Sequence, residues 1–184
     1  REQALVYGFK TQTAPGVLAE HLESVARAHA DELLSHDATK HLMDELRQVA
    51  PALVDDLVPE KLRIADVQNV LQGLLREAIP IRQLGIILES LRDAAMQTND
   101  EAQQIELVRQ RLSRTLCSQL RDAKGTLRAV AIDDVSIFDN SRDVTCDAIR
   151  RAVKKLSTQN YPPVILVEPI HRRDVKHRVE HAGI

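Results

Sequence analysis

Apolar residues recur at a helical period through nearly two thirds of the chain, from residue 14 to about residue 123. No other feature constrains the fold as much. Val17, Leu18, Leu22, Val25, Ala26, Ala30, Leu33 and Leu34 predict a helix over about 14–34, with Thr13 as N-cap and Pro15 in its first turn. Ser35 or Asp37 caps a second helix, with Leu42, Met43, Leu46 and Val49 on one face. Pro51 stops it and opens a short helix, Ala52–Val58, which Pro59 closes. Ile64–Ala78 follows. Pro80 then starts a helix through Ala95, with Ile81, Leu84, Ile87, Leu88 and Leu91 inward. Thr98-Asn99-Asp100 is a cap cluster for a long helix over about 100–123. Links this short predict a compact helical subdomain.

The pattern changes after Gly125. Leu127–Ile132 reads as a strand and 133–140 as a turn region. Ser141–Thr158 is an amphipathic helix, Val164–Val167 a buried strand, and His171–His181 a last helix. Strand, helix, strand, helix is the order of a parallel sheet covered by helices. Residues 4–9 form a short apolar run that reads as one more strand. The fold class is therefore α+β: an N-terminal strand and long helix, a helical subdomain, then a small α/β part. The expected boundaries are 1–34, 35–124 and 125–184.

Composition excludes several roles. Apolar residues make up 43% of the 184 and the net charge is −2, so the chain can bury a core and carries no overall basic field. Aromatics are 2% with no Trp, too few for a base-stacking platform. Cys117 and Cys146 are no disulfide framework, and read as reduced packing residues in a cytosolic setting. No run approaches the roughly 20 apolar residues of a membrane span. The start carries Arg1 and Glu2 without a signal-peptide core, and the chain reads as a piece of something longer.

No catalytic constellation emerges. The isolated glycines build neither a dinucleotide fingerprint nor a P-loop. No G-x-S-x-G elbow occurs, and Asp55-Asp56 and Asp133-Asp134 are neighbours that cannot share a helix face. His36 and His41 are five apart, off the spacing of a zinc pair. His177 and His181 are four apart on one face of a basic tail, but a third ligand is lacking and a solvated face is the plainer reading. No catalytic residue, cofactor or metal is expected. Residues 64–91 could pass for a helix-turn-helix, giving a winged-helix-like DNA binder or a helical scaffold as the alternative. Its second helix offers only Arg82 and Arg92, offset by Glu89 and Asp93.

The stretch from 53 to 95 is the most distinctive. Leu53, Val54, Leu57, Val58 and Pro59 are followed by Val67, Gln68, Val70, Leu71, Gln72, Leu74, Leu75 and Glu77. Pro80, Ile81, Arg82 and Leu84 come next, then Ile87, Leu88, Glu89 and Leu91. In order and spacing this block resembles the cytoplasmic domain of the large export-gate protein of flagellar and injectisome type III secretion. Ala19, His21, Leu22, His29, Ala30, Glu32, Leu33 and Leu34 extend the resemblance, and Glu20 stands where that family often has Thr. The likeness covers nearly the whole chain and is weaker after about 125.

The resemblance implies a non-enzymatic role on the cytoplasmic face of the bacterial inner membrane. Such domains assemble into a homo-oligomeric ring, typically nonameric, attached through N-terminal spans absent here. They dock export chaperones with bound substrates, work with other export-apparatus subunits, and order export. Flagellar and injectisome systems are not separated by it. Nucleic acid is not an expected partner. Glu20 and His21 fall in the chaperone-docking region. Arg63, Arg76, Arg82 and Glu89 are candidate rim charges at the oligomer interface. Arg82 leads them, as a cation at the helix start after Pro80-Ile81, where the helix dipole disfavours one.

Overall fold

The computed structural model describes residues 12–57, 62–132, 142–159, 161–181 and 183. The strand predicted at 4–9, the helix stop at Pro59 and the turn region at 133–140 lie outside them. The described part is mostly helical, with two short parallel strands, and divides into two compact units, one up to Leu112 and one from Ser113.

The first unit begins with α1 (Ala14–Ala28) and α2 (Ala30–Leu33). Thr13 caps α1 by accepting a hydrogen bond from the Gly16 amide, at 3.2 Å, with Pro15 in the first turn. The single helix predicted over 14–34 is broken at His29. That residue ends α1 with its amide on the Val25 carbonyl and opens α2 in a non-helical conformation. Its Nδ1 lies 3.0 Å from Glu32 Oε1, so the side chain is held across the break.

α3 (His36–Val49) is capped by Ser35, whose hydroxyl accepts from the Ala38 amide. α4 (Pro51–Leu57), α5 (Ile64–Arg76), α6 (Leu84–Ala95) and α7 (Glu101–Arg111) complete the unit. α6 packs on α7, α5 lies against α2, α3 and α7, and α4 touches α3 and α6. Their inward stripes are Val67, Val70, Leu71 and Leu74 from α5 and Leu84, Ile87, Leu88 and Leu91 from α6, joined by Met43, Val54, Leu57 and Val108. Each fully buried aliphatic side chain stabilises the fold by about 1.5–3 kcal/mol. The one buried hydroxyl of α3, on Thr39, donates to the Ser35 carbonyl at 2.9 Å.

Two expectations change here. α6 starts at Leu84 rather than at Pro80. The cause lies at the end of α5, where Glu77 is the C-cap and Ala78 adopts a left-handed backbone with φ 55°. The Ala78 amide donates to the Leu75 carbonyl and the Ile79 amide to the Leu74 carbonyl, which is the Schellman arrangement. Ile79 is thereby fixed in the core at 4% exposure. Pro80 holds it extended, and helix resumes only when the Gln83 carbonyl accepts from the Ile87 amide. The long helix predicted over 100–123 also splits. Leu112 is buried, and its amide is shared among the Val108, Arg109 and Gln110 carbonyls, a tightened last turn that ends α7.

The second unit holds α8 (Ser113–Gln119), β1 (Val130–Ala131), α9 (Arg142–Thr158), β2 (Ile165–Leu166), a 3-10 turn (Pro169–His171) and α10 (Arg172–His181). Asp122 builds the predicted turn: its carboxylate accepts from the Lys124 and Thr126 amides, and Gly125 takes φ 78°. β1 and β2 pair in parallel, Val130 with Ile165 and Ala131 with Leu166, joined through α9, which packs on β1. Only two residues of each predicted strand pair. Ile149 and Val175 supply the buried apolar contacts of α9 and α10, and the Arg128 guanidinium lies 4.3 Å above the Tyr161 ring.

Candidate interaction surfaces

Glu20 and His21 are adjacent on α1, and both are exposed. Glu20 accepts a hydrogen bond from Gln12 at 2.7 Å. α1 buries none of its residues: Val17, Leu18, Leu22 and Val25 are all exposed, Leu18 at 68%. The apolar periodicity of residues 14–28 therefore forms an open stripe beside the two candidate residues rather than a core face.

Arg63 and Arg76 are both engaged inside the subunit. Arg63 grips Asp66 through Nε and Nη2, at 3.0 and 2.8 Å, while Asp66 also accepts from the Arg63 amide at 3.1 Å. That carboxylate covers the N-terminus of α5, and Arg63 holds its pKa below the usual carboxylate value. Arg76 Nε lies 2.9 Å from Asp31 Oδ2, and this guanidinium lowers the Asp31 pKa in the same way. Asp31 belongs to α2, so the pair ties that short helix to α5.

Sequence reasoning missed the rest of this tie. Gln68 and Gln72 precede Arg76 at four-residue intervals and lie on the same face of α5. Gln68 Nε2 donates to the Leu34 carbonyl at 3.0 Å. Gln72 Nε2 donates to the Leu34 carbonyl at 3.0 Å and to the Asp31 carbonyl at 3.2 Å. Both carbonyls lie at the end of α2, where the Asp31 one also accepts from the Leu34 amide. The signal was present in the 68/72/76 spacing, but it names only the donors and not the acceptor.

Arg82 lies in the extended link before α6, two residues ahead of Leu84, so the dipole argument for it does not hold. It is exposed and makes no hydrogen bond or ion pair among the described residues. Glu89 is likewise exposed and unpaired among them, on the outer face of α6 beside half-exposed Ile86. A face carrying Ile86 and Glu89 is no basic reading surface, which removes the DNA-reading geometry from α6. Between α6 and α7 a cleft of about 290 Å³ is lined by Ser90, Asp93, Ala94, Gln97, Leu107, Gln110 and Arg111. Asp93 bridges Arg92 and Arg111 at its edge, at 2.9 and 3.7 Å. No group of three or more metal-ligating side chains occurs, and no helix is long and apolar enough to cross a membrane, among the described residues.

Comparison with known proteins places this architecture. The FHIPEP family model matches residues 1–183. The flagellar biosynthesis protein FlhA of Caulobacter vibrioides is 38% identical over 132 residues, covering 72% of this chain and 19% of that protein. The chain thus spans about a fifth of this relative's length. The Shigella flexneri MxiA structure superposes with a TM-score of 0.74 at 26% identity, covering 92% of this chain and 58% of that one. The nonameric EPEC SctV-C structure gives a TM-score of 0.74 at 24% identity, covering 97% and 59%, a likeness of fold. With a family model that matches residues 1–183, the chain belongs to the FHIPEP family.

Proposed function

We propose that this chain is part of the cytoplasmic ring of an export gate, on the inner-membrane face of a flagellar or injectisome apparatus. The observation that supports it most is the 53–95 block. Its apolar residues form the core of the first unit, and its fold is that of MxiA over 92% of the chain. The role is recognition and assembly rather than catalysis. Neighbouring copies meet through the rim of the first unit, where Arg82 and Glu89 are exposed charges with no partner among the described residues. Arg63 and Arg76 instead stiffen the subunit that presents that rim. Chaperones loaded with substrate dock near Glu20 and His21, where the open stripe of α1 supplies apolar area with charged edges. The ring is nonameric, as in SctV-C, and its membrane attachment lies in spans outside this sequence. Other export-apparatus subunits are its further partners.

A chimeric export gate tests the reading. The matching region of the Caulobacter FlhA is replaced by this chain, and motility and secretion of flagellar substrates are followed. Membrane-assembled chimera with restored secretion is the expected result. Chimera that assembles but secretes nothing, and binds no loaded chaperone, would overturn it.

A further inference from the structure

The end of α10 carries a feature outside the surfaces described above. His177 and His181 stand one helical turn apart, both exposed. Their Nε2 atoms are 3.1 Å from each other, with ring centroids 4.3 Å apart and planes inclined by 55°. Neither ring has another hydrogen bond or ion pair among the described residues. Metal–imidazole bonds of about 2.0–2.1 Å put two ligand nitrogens about 3.3 Å apart at a tetrahedral angle and about 3.0 Å apart at a right angle. The observed separation lies between these two. In the free pair one Nε2–H donates to the other Nε2. With both protons on Nδ1, both Nε2 lone pairs are free to ligate.

We propose that His177 and His181 form a two-point chelate for a late first-row divalent cation, Zn²⁺ or Ni²⁺, with water in the remaining positions. No third His, Cys, Asp or Glu completes the site among the described residues, so the ion exchanges freely. The surroundings are basic. Arg172, Arg173, Lys176 and Arg178 share α10 with only Asp174 and Glu180, and the Lys176 amine lies 3.8 Å from Glu180. This sets the site apart from a carboxylate cluster. Salt screens the repulsion between these cations and the metal, so affinity rises with ionic strength instead of falling.

The 184-residue chain is titrated with zinc nitrate, and separately nickel nitrate, at pH 7.5 in low and high sodium nitrate. Calorimetry gives the affinity, and imidazole resonances in the zinc titration locate the site. The expected result is one saturable event that shifts the rings of His177 and His181. It strengthens with salt. His177→Gln and His181→Gln each weaken it at least tenfold. His41→Gln, which removes the exposed histidine 3.5 Å from Glu45, leaves it unchanged. No saturation below about 1 mM, shifts confined to other histidines, or affinity unaltered in both α10 variants would overturn the proposal. All the substituted side chains are exposed, and circular dichroism verifies that the helices are retained.

Discussion

Arg76 and Asp31 are 45 residues apart in sequence and 2.9 Å apart in the fold. The carboxylate is the more enclosed partner, with 16% of its side chain accessible against 60% for the guanidinium. Arg76 lowers the Asp31 pKa, so the folded chain binds fewer protons there than the unfolded one. The pair therefore contributes stability that is fully present above the ordinary carboxylate pKa and is lost as pH falls through the lowered one. Arg63 and Asp66 act with the same sign. Urea midpoints measured from pH 7 down to pH 3 should fall below about pH 4. Arg76→Gln should lower the plateau near neutrality and flatten part of that decline, leaving the Asp66 part. An unchanged profile in Arg76→Gln would remove Asp31 from the account.

His29 has the opposite sign. Glu32 accepts from its ring and raises its pKa above the ordinary value of 6.5. The stability it contributes is complete below that value and is lost as pH rises through the raised one. Histidine titration by NMR should place His29 above the ordinary histidine value, and Glu32→Gln should bring it down. A His29 titration unaffected by Glu32→Gln would mean that the ring is not held across the α1–α2 break.

Gln72 makes a test of the tie that does not depend on charge. Its Nε2 serves two carbonyls at the end of α2, and Gln68 serves one of them. Gln72→Leu keeps the volume and removes two hydrogen bonds worth about 0.5–1.5 kcal/mol each, while Gln68 still serves the Leu34 carbonyl and the Leu34 amide the Asp31 carbonyl. Denaturation should show that loss, and hydrogen exchange should locate it at residues 31–34. Exchange that rises uniformly through the first unit would instead mean general core damage.

Much of this fold was legible because the core helices obey one rule. Of the stripes read from period, Val67, Val70, Leu71 and Leu74 and Leu84, Ile87, Leu88 and Leu91 are buried, while Leu75 and Ile81 are only partly covered. The caps at Thr13, Ser35 and Asp100 were equally local, since each bonds an amide two or three residues on. What escaped depended on tertiary partners. The α1 stripe has the same period as the core stripes yet stays exposed, because periodicity gives a face and not what covers it. The late start of α6 follows from Ile79 being held in the core, which no propensity records. The candidate cations divide in the same way. Spacing could not separate Arg76, held by Asp31, from Arg82, held by nothing among the described residues.

Ala78 is the only described non-glycine residue with positive φ, at 55°. A left-handed backbone costs a side-chain-bearing residue about 1–2 kcal/mol. Ala78→Gly removes that strain, offset in part by the greater freedom of glycine in the unfolded chain. The substitution should raise stability by about 0.5–1 kcal/mol. Ala78→Val should lower it. A destabilising glycine would mean that the turn is held elsewhere than at this residue.

Gly73 faces the reverse constraint. It lies in α5 where α7 crosses, and a Cβ there would overlap Ile105 Cδ1 and crowd Cγ1. Alanine gains about 1 kcal/mol in helix propensity but forces a stiff β-branched side chain aside, at about 1–3 kcal/mol. Gly73→Ala should therefore lower stability by about 1 kcal/mol net of these terms. Ile105→Val shortens the obstructing arm, so the double variant should be more stable than the two single losses sum to. Additive losses would mean that α5 and α7 do not approach at this point.

Arg82 and Glu89 provide the test of the rim. Neither has a partner among the described residues, so reversing either charge should leave the melting temperature of the chain within about 0.5 kcal/mol equivalent. In an assembled ring the same reversal sets a charge against a surface shaped for its opposite, and specific contacts of this kind lose several kcal/mol. Arg82→Glu in the chimeric export gate should therefore reduce ring assembly and secretion while sparing the fold. Arg82→Lys should largely retain both. Sedimentation of the solubilised gate separates the two effects. Full-sized rings in Arg82→Glu with secretion intact would take Arg82 off the interface and leave Glu89 to be tested alone by Glu89→Lys.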